Sequence, residues 1–311
     1  MSAPSLPNPV APQPQALLRQ ARRLAGLAEA PWLYREVARR LASKLEIILL
    51  QPLQWLDWGG FLGGGLTEVQ PRYPQAQRWV MEPVPQLQQR SREQWQAQAP
   101  RIWWAPWRRE VDPVALEGAE QPVPWAGQGV QMLWANMALH AHPDLPSLLA
   151  KWHQALAVDG FLMCSGLGPD TARELRQLYR ELGWPLPTIS FIDMHDLGDA
   201  LVEAGFADPV MDMEQITLTW ANAEDMLAEW RTWGGNVAQG RIAGLRTPRW
   251  RARLLKALTQ GLMRPDGRLG LTIELVYGHA VKPAPRPQLA AETRVSLDDM
   301  KAMIRHGSPK T

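Results

Sequence analysis

Leu53-Gln-Trp-Leu-Asp57-Trp-Gly-Gly-Phe-Leu-Gly-Gly-Gly65 is the stretch on which the reading of this chain turns. A short apolar run ends in an acid, Asp57, and opens into five glycines within seven residues. In an open parallel sheet, ligands sit beyond the carboxyl ends of the strands, where the strand order reverses. Glycines at such an end admit positive φ and let a ligand approach the backbone. Arg78-Trp-Val-Met-Glu82 repeats the design, with Glu82 lying 25 residues beyond Asp57. An acid at the end of the second strand is placed to accept hydrogen bonds from ribose hydroxyls. The turn lacks the Gly-Lys-Ser/Thr ending of a phosphate-cradling loop, so a nucleoside without a phosphate chain fits better than a nucleoside triphosphate.

Upstream, apolar residues recur at three- and four-residue spacing from Ala16 to Leu45, broken near Pro31, which predicts two amphipathic helices. Downstream, a helical pattern from Leu87 to Ala97 precedes the strand-like Arg101-Ile-Trp-Trp104 and a polar loop holding Glu117 and Glu120. The run Val130 to Asn136, a helix from about Leu145 to Leu156, and the run Gly160 to Ser165 follow. Short, almost continuously apolar runs alternating with helical patterns predict βαβ units and a parallel sheet covered on both faces. The expected fold class is therefore α/β and doubly wound. Helices at about 170–182, 194–204, 223–232 and 248–260 interleave with two later strands, Val210 to Met213 and Leu271 to His279, and are placed to cap the sheet's binding edge.

The chain has 311 residues, 46% hydrophobic and 21% charged, with a formal net charge of +2. Collagen, coiled coil and wholesale disorder are excluded by that even apolar content. The small net charge is unevenly spread, with both ends basic and the middle acidic, which argues against a nucleic-acid-binding core. One cysteine, Cys164, forms no internal disulfide, and no apolar run approaches the roughly 20 residues of a membrane span. With no charged n-region ahead of an apolar stretch, a cytoplasmic protein is expected. Pro-rich stretches in residues 1–15 and 283–311 predict flexible ends. Sixteen Trp stand beside four Phe and four Tyr. Some fall in strand-like runs, where they fill a core; others fall in the later helices, where they are placed to line a substrate pocket or cover the sheet edge.

Leu56-Asp57-x-Gly59-x-x-x-Gly63 resembles the first motif of class I S-adenosylmethionine-dependent methyltransferases, and Arg72-Tyr-Pro74 followed by Glu82 matches the spacing of their next strand. Trp134-Ala-Asn-Met-Ala-Leu139, Gly168-Pro-Asp-Thr-Ala-Arg-Glu-Leu175, Asp193-Met-His-Asp-Leu-Gly-Asp199, Ala204-Gly-Phe206 and Tyr277-Gly-His279 resemble one subgroup, the malonyl-ACP O-methyltransferases of biotin synthesis. The likeness spans about residues 18 to 282. It implies a Rossmann-like, mostly parallel seven-stranded sheet, in a domain of residues 16–282 with helical insertions at about 167–205 and 215–265. S-adenosylmethionine is the implied cofactor, and a carboxylate of a carrier-protein-bound acyl group the implied acceptor. On the same resemblance Asp57, Gly59 and Gly63 hold the methionine part, Glu82 the ribose, Glu120 the adenine, and Asn136 lines the cofactor pocket. Such an acceptor is already ionised, so no catalytic base is required. Three positions depart from the pattern: Phe61 stands at the middle glycine of the turn, Gln131 at an acid of the fourth strand, and Leu27 at a substrate-contacting Tyr. A non-catalytic methyltransferase-fold protein that binds a partner is the alternative these departures leave open. A dinucleotide oxidoreductase fits less well, because the glycine spacing matches Gly-x-Gly-x-x-Gly poorly.

His140, His142 and Asp144 lack a third ligand at metal-site spacing and read as surface residues. Asp193 is placed to cap the helix that His195 enters, which gives His195 a structural role. Between Arg241 and Lys256 lie six basic residues and no acid. The plain reading is a solvated helix face; the sharper one is a docking patch, Arg246, Arg249 and Arg253, for an acidic acyl carrier protein.

Overall fold

The computed structural model describes residues 11–98, 113–117, 127–241 and 246–285. Helices α1 (Pro14–Leu24) and α2 (Trp32–Ser43) lead into β1 (Gln54–Trp58). The glycine stretch forms two single helical turns, α3 (Gly60–Gly63) and α4 (Gly65–Glu68), followed by β2 (Gln77–Glu82), α5 (Pro85–Gln98), β3 (Val114–Leu116) and β4 (Val130–Ala135). Next come α6 (Leu145–Ala155), β5 (Leu156–Leu167), α7 (Arg173–Glu181), α8 (Met194–Glu203) and β6 (Ala207–Trp220). The last elements are α9 (Ala223–Trp233), α10 (Pro248–Gly261) and β7 (Leu269–Val281).

The seven strands form one sheet in the order β3-β2-β1-β4-β5-β7-β6. Strands β1 to β5 pair in parallel, while β7 runs antiparallel to both β5 and β6. The order reverses between β1 and β4, so the crevice at their carboxyl ends is the topological switch point where such sheets bind ligands.

Successive strand residues point to opposite faces, and both faces are covered. Trp55, Met132, Phe161 and Ile273 meet Leu33, Val37 and Leu41 of α2. Their sequence neighbours Leu56, Leu133 and Leu162 meet Leu148, Leu149 and Trp152 of α6 and Leu197 and Leu201 of α8. That double cover explains why the strands read as unbroken apolar runs. A third cluster joins α7, α9 and α10 to the far end of the β6–β7 hairpin through Leu175, Trp220, Met226, Leu258 and Leu271.

The strand expected at Arg101 to Trp104 lies outside the described residues. The third strand is instead Val114–Leu116, inside the stretch expected to be a polar loop; three residues are too few to carry a readable period. Strand β6 is 14 residues long rather than the four expected, because an edge strand with one open face alternates polar and apolar residues. The N-terminal segment expected to be flexible is tied down at its end: Pro12 bridges Ala238, and Gln13 N–H donates to the Val237 carbonyl at 2.7 Å. Among the described residues no helix is long and apolar enough to cross a membrane.

Candidate functional site

A cleft of about 380 Å³ opens at the switch point. Trp58, Gly59 and Leu62 line it from the end of β1, Glu82, Pro83 and Leu87 from β2 and α5, Glu117 from the end of β3, and Asn136 and Met137 from the end of β4. Helix α1 closes it with Leu17, Leu18 and Ala21.

Gly59 enters the turn at φ +79°, and no atom lies within 4 Å of the place a Cβ would take, so its backbone faces open space. Glu82 is wholly buried. Its Oε1 accepts from Phe61 N–H at 2.8 Å and from Ser91 Oγ at 2.5 Å, while Oε2 has no partner among the described residues. Burial pushes its carboxyl up to about 7, against the pull of the Ser91 and Phe61 hydrogen bonds. A buried acceptor left unpaired costs stability unless something donates to it. An unpaired carboxylate oxygen on a cleft-lining residue fits a ligand hydroxyl, as a ribose would supply.

Asp57 is placed otherwise than expected. It does not line the cleft. Its Oδ2 accepts two hydrogen bonds from Arg78, at 3.0 Å from Nε and 2.6 Å from Nη2, and both side chains are buried. The pair lies beneath the glycine turn. A Cβ on Gly65 would stand 2.4 Å from Asp57 Oδ2, and one on Gly60 2.8 Å from Arg78 Nη2. The extra glycines of this turn therefore make room for a buried ion pair. Gly63 also lies off the cleft lining, its carbonyl held by Trp134 Nε1 at 2.9 Å. Asn136 does line the cleft, but its amide is engaged in structure: Nδ2 donates to the Tyr34 carbonyl at 2.9 Å, and Oδ1 accepts from Ser165 Oγ at 2.7 Å. Glu120 lies outside the described residues. The acid found in the cleft near it is Glu117, which Lys151 Nζ reaches at 2.6 Å.

Two of the departures noted in the sequence, Phe61 and Gln131, have local explanations. Phe61 sits in α3 with ordinary right-handed backbone, where a side chain is admissible, and packs on Ala25, Val84 and Leu87 beneath the Arg90 guanidinium. Gln131 faces β1, its Oε1 accepting from Gln54 N–H at 2.9 Å. The Leu27 carbonyl accepts from Arg90 Nη2 at 3.0 Å.

A second cavity of about 250 Å³ abuts the first, with Gln20, Tyr34 and Met137 lining both. Its walls come from the capping helices and from β7: Leu175, Tyr179, Leu227, Trp230, Trp233 and Ile273 among them. Among the described residues no Asp, Glu, Lys or Arg lines it. His140 faces it with Nδ1 unpaired, and its Nε2 lies 3.5 Å from the Tyr34 hydroxyl. Burial lowers His140 to about 4 and raises Tyr34 to about 12, so both are neutral at pH 7. Asp193 caps α8 as expected, its Oδ1 accepting from the His195 backbone N–H at 2.8 Å.

Part of the tryptophan excess belongs to this cap. Trp220 packs against Trp230 and Trp233, and Trp184 against Tyr179 and Trp250. The Arg246 guanidinium lies 4.0 Å over the Trp250 ring and that of Arg253 5.3 Å over Trp184, while Arg249 is exposed on the same helix.

The seven-stranded order with an antiparallel β7, and helices on both faces, is a Rossmann-like methyltransferase fold, and solved structures share it. A candidate methyltransferase from Bacillus halodurans C-125 aligns at a TM-score of 0.50 and 15% identity, covering 78% of this chain and 99% of that one. The YcgJ protein from Bacillus subtilis aligns at 0.52 and 10%, covering 79% and 98%. Malonyl-acyl-carrier-protein O-methyltransferases are much nearer in sequence. That of Gallionella capsiferriformans is 38% identical over 272 residues, 86% of this chain and 91% of its own length. That of Laribacter hongkongensis is 37% identical over 273 residues, 88% of each. No protein-family model matches the chain. On these relatives, the chain belongs to the malonyl-acyl-carrier-protein O-methyltransferase family.

Proposed function

We propose that this protein methylates the free carboxylate of a malonyl group carried on an acyl carrier protein, with S-adenosylmethionine as donor, at a step of biotin synthesis. The observation that carries this reading is the junction of the two cavities at Tyr34 and Met137, a nucleoside-type cleft on one side and an uncharged acceptor cavity on the other. When bound, S-adenosylmethionine supplies a methyl group made electrophilic by its sulfonium. The residues of the chain bind and align. Glu82 Oε2 accepts from the ribose, Gly59 gives backbone access, Pro83 and Leu87 provide apolar surface, and α1 keeps water from the cleft. The acceptor carboxylate is ionised at neutral pH, so no residue has to remove a proton, in keeping with the neutral Tyr34 and His140 beside the acceptor cavity. Alignment and exclusion of water then account for the rate.

Arg246, just ahead of α10, and Arg249 and Arg253 on it serve as a docking patch for the acidic carrier. Its stack on Trp184 reaches the acceptor cavity through Tyr179. Family membership favours an enzyme over a non-catalytic binding protein, and the buried lone cysteine, Cys164, supports a cytoplasmic setting. Calorimetric titration with S-adenosylmethionine and S-adenosylhomocysteine tests the donor site. The expected result is binding of both at roughly micromolar Kd, weakened at least about tenfold by Glu82→Ala. No heat at millimolar ligand from folded protein rejects the donor.

A further inference from the structure

Beside the mouth of the acceptor cavity lies a smaller basic pocket of about 200 Å³. Arg19 and Arg23 line it from α1, and Arg241 from the segment after α9. Arg231 of α9 stands close enough to Arg23 that its charge, added to burial, holds the Arg23 guanidinium below its ordinary value. Among the described residues none of these four arginines has an acidic partner. Arg19 and Arg23 stand four residues apart on one helix face, an arrangement of like charges that opposes folding. Three arginines around one pocket, Arg19, Arg23 and Arg241, with no acidic partner among the described residues, form a site for an anion, and the planar guanidinium fork matches phosphate.

The position of the pocket says which phosphate. It shares Gln20, Gly235, Asn236 and Val237 with the apolar acceptor cavity. Gln20 Oε1 accepts from Gly235 N–H at 3.1 Å, forming the wall between the two. An acyl group on a carrier protein hangs from a pantetheine arm whose other end is a phosphodiester. We propose that Arg19, Arg23 and Arg241 bind the phosphate of that arm while the acyl end occupies the acceptor cavity. The proposal rests on the carrier-bound acceptor proposed above, and it is separate from the α10 patch.

The test uses free 4′-phosphopantetheine and pantetheine as probes, titrated into the protein in the presence of S-adenosylhomocysteine, together with methyl transfer to their malonyl thioesters. Wild type should bind the phosphorylated probe about tenfold more tightly and turn over its thioester with a correspondingly lower KM. In Arg23→Ala/Arg241→Ala, both on exposed or half-exposed positions, that preference should fall below about twofold, with kcat and S-adenosylhomocysteine affinity unchanged. Equal treatment of the two probes by wild type, with methyl transfer intact, overturns the phosphate site and leaves the methyltransferase reading standing. Equal binding without transfer to either thioester overturns both. Tighter binding of the phosphorylated probe, lost in the variant, supports the site whatever the turnover. A carrier protein lacking the arm serves as the last arm of the test: if the variant weakens its binding as much as that of the arm-bearing form, the arginines read protein carboxylates and the proposal fails.

Discussion

Arg78 and Asp57 form the buried pair on which the glycine turn rests. An ion pair taken out of water costs heavily unless its geometry is close, and this one is held by two hydrogen bonds on one oxygen. In the sequence, Asp57 reads as a ligand acid because it ends a strand beside glycines. What redirects it is Arg78, a charge at a strand position whose side chain turns inward, and nothing local to Asp57 reveals it. The opposite holds for Glu82, where the sequence placed an acid in the cleft and the structure finds it there with one oxygen unpaired. Its carboxyl lies at about 7 in the folded chain against an ordinary 4.5. A raised folded pKa means that stability is full below about 4.5 and is lost as pH rises toward and through about 7, because the unfolded chain gives up its proton first. Glu82→Gln should remove that loss, worth on the order of 3 kcal/mol at most. Thermal melts of ligand-free protein should show the variant gaining Tm over wild type at pH 8 and not at pH 4; parallel curves across that range would contradict the burial argument.

At the scale of elements, the helices and central strands were legible because their periods are long and their faces are unambiguous. Helix α2 shows this with Leu33, Val37 and Leu41 on one stripe. Strand β3 was illegible because it is three residues long, and β6 was underestimated because it is an edge strand rich in Asp, Glu, Gln and Thr. The arginine pocket escaped the sequence for a different reason. Its members come from α1 and from a loop after α9 more than two hundred residues away, and only the tertiary fold brings them together. The stretch through α10 was legible as basic, but the stacking of Arg246, ahead of the helix, and Arg253, on it, over Trp250 and Trp184 was not. Those stacks fix the guanidiniums on one face instead of leaving them to sweep solvent. Arg249→Glu together with Arg253→Glu should weaken carrier-protein association by roughly tenfold at low salt, with the difference shrinking as salt rises. Affinity that is unchanged and independent of salt, measured by titration at two ionic strengths, would remove α10 from the docking surface.

The whole molecule places the cleft proposed for the donor at the switch point of a mostly parallel sheet and roofs the neighbouring apolar cavity, proposed for the acceptor, with helices inserted among the later strands. Aromatic rings supply much of that roof, which gives Trp184, Trp220, Trp230 and Trp233 a shared purpose that composition alone left open. Part of the basic excess of the chain's N-terminal part, Arg19 and Arg23, likewise acquires a location, in the pocket beside that cavity. The central claim is that both cavities serve one methyl transfer between them. Its most direct measurement is transfer of labelled methyl from S-adenosylmethionine to malonyl-carrier protein, followed beside acetyl-carrier protein, which lacks the free carboxylate. The expected result is one labelled methyl ester per malonyl group and none on the acetyl form. Absence of transfer to malonyl-carrier protein by folded, donor-binding protein, or equal labelling of both carriers, would contradict the account.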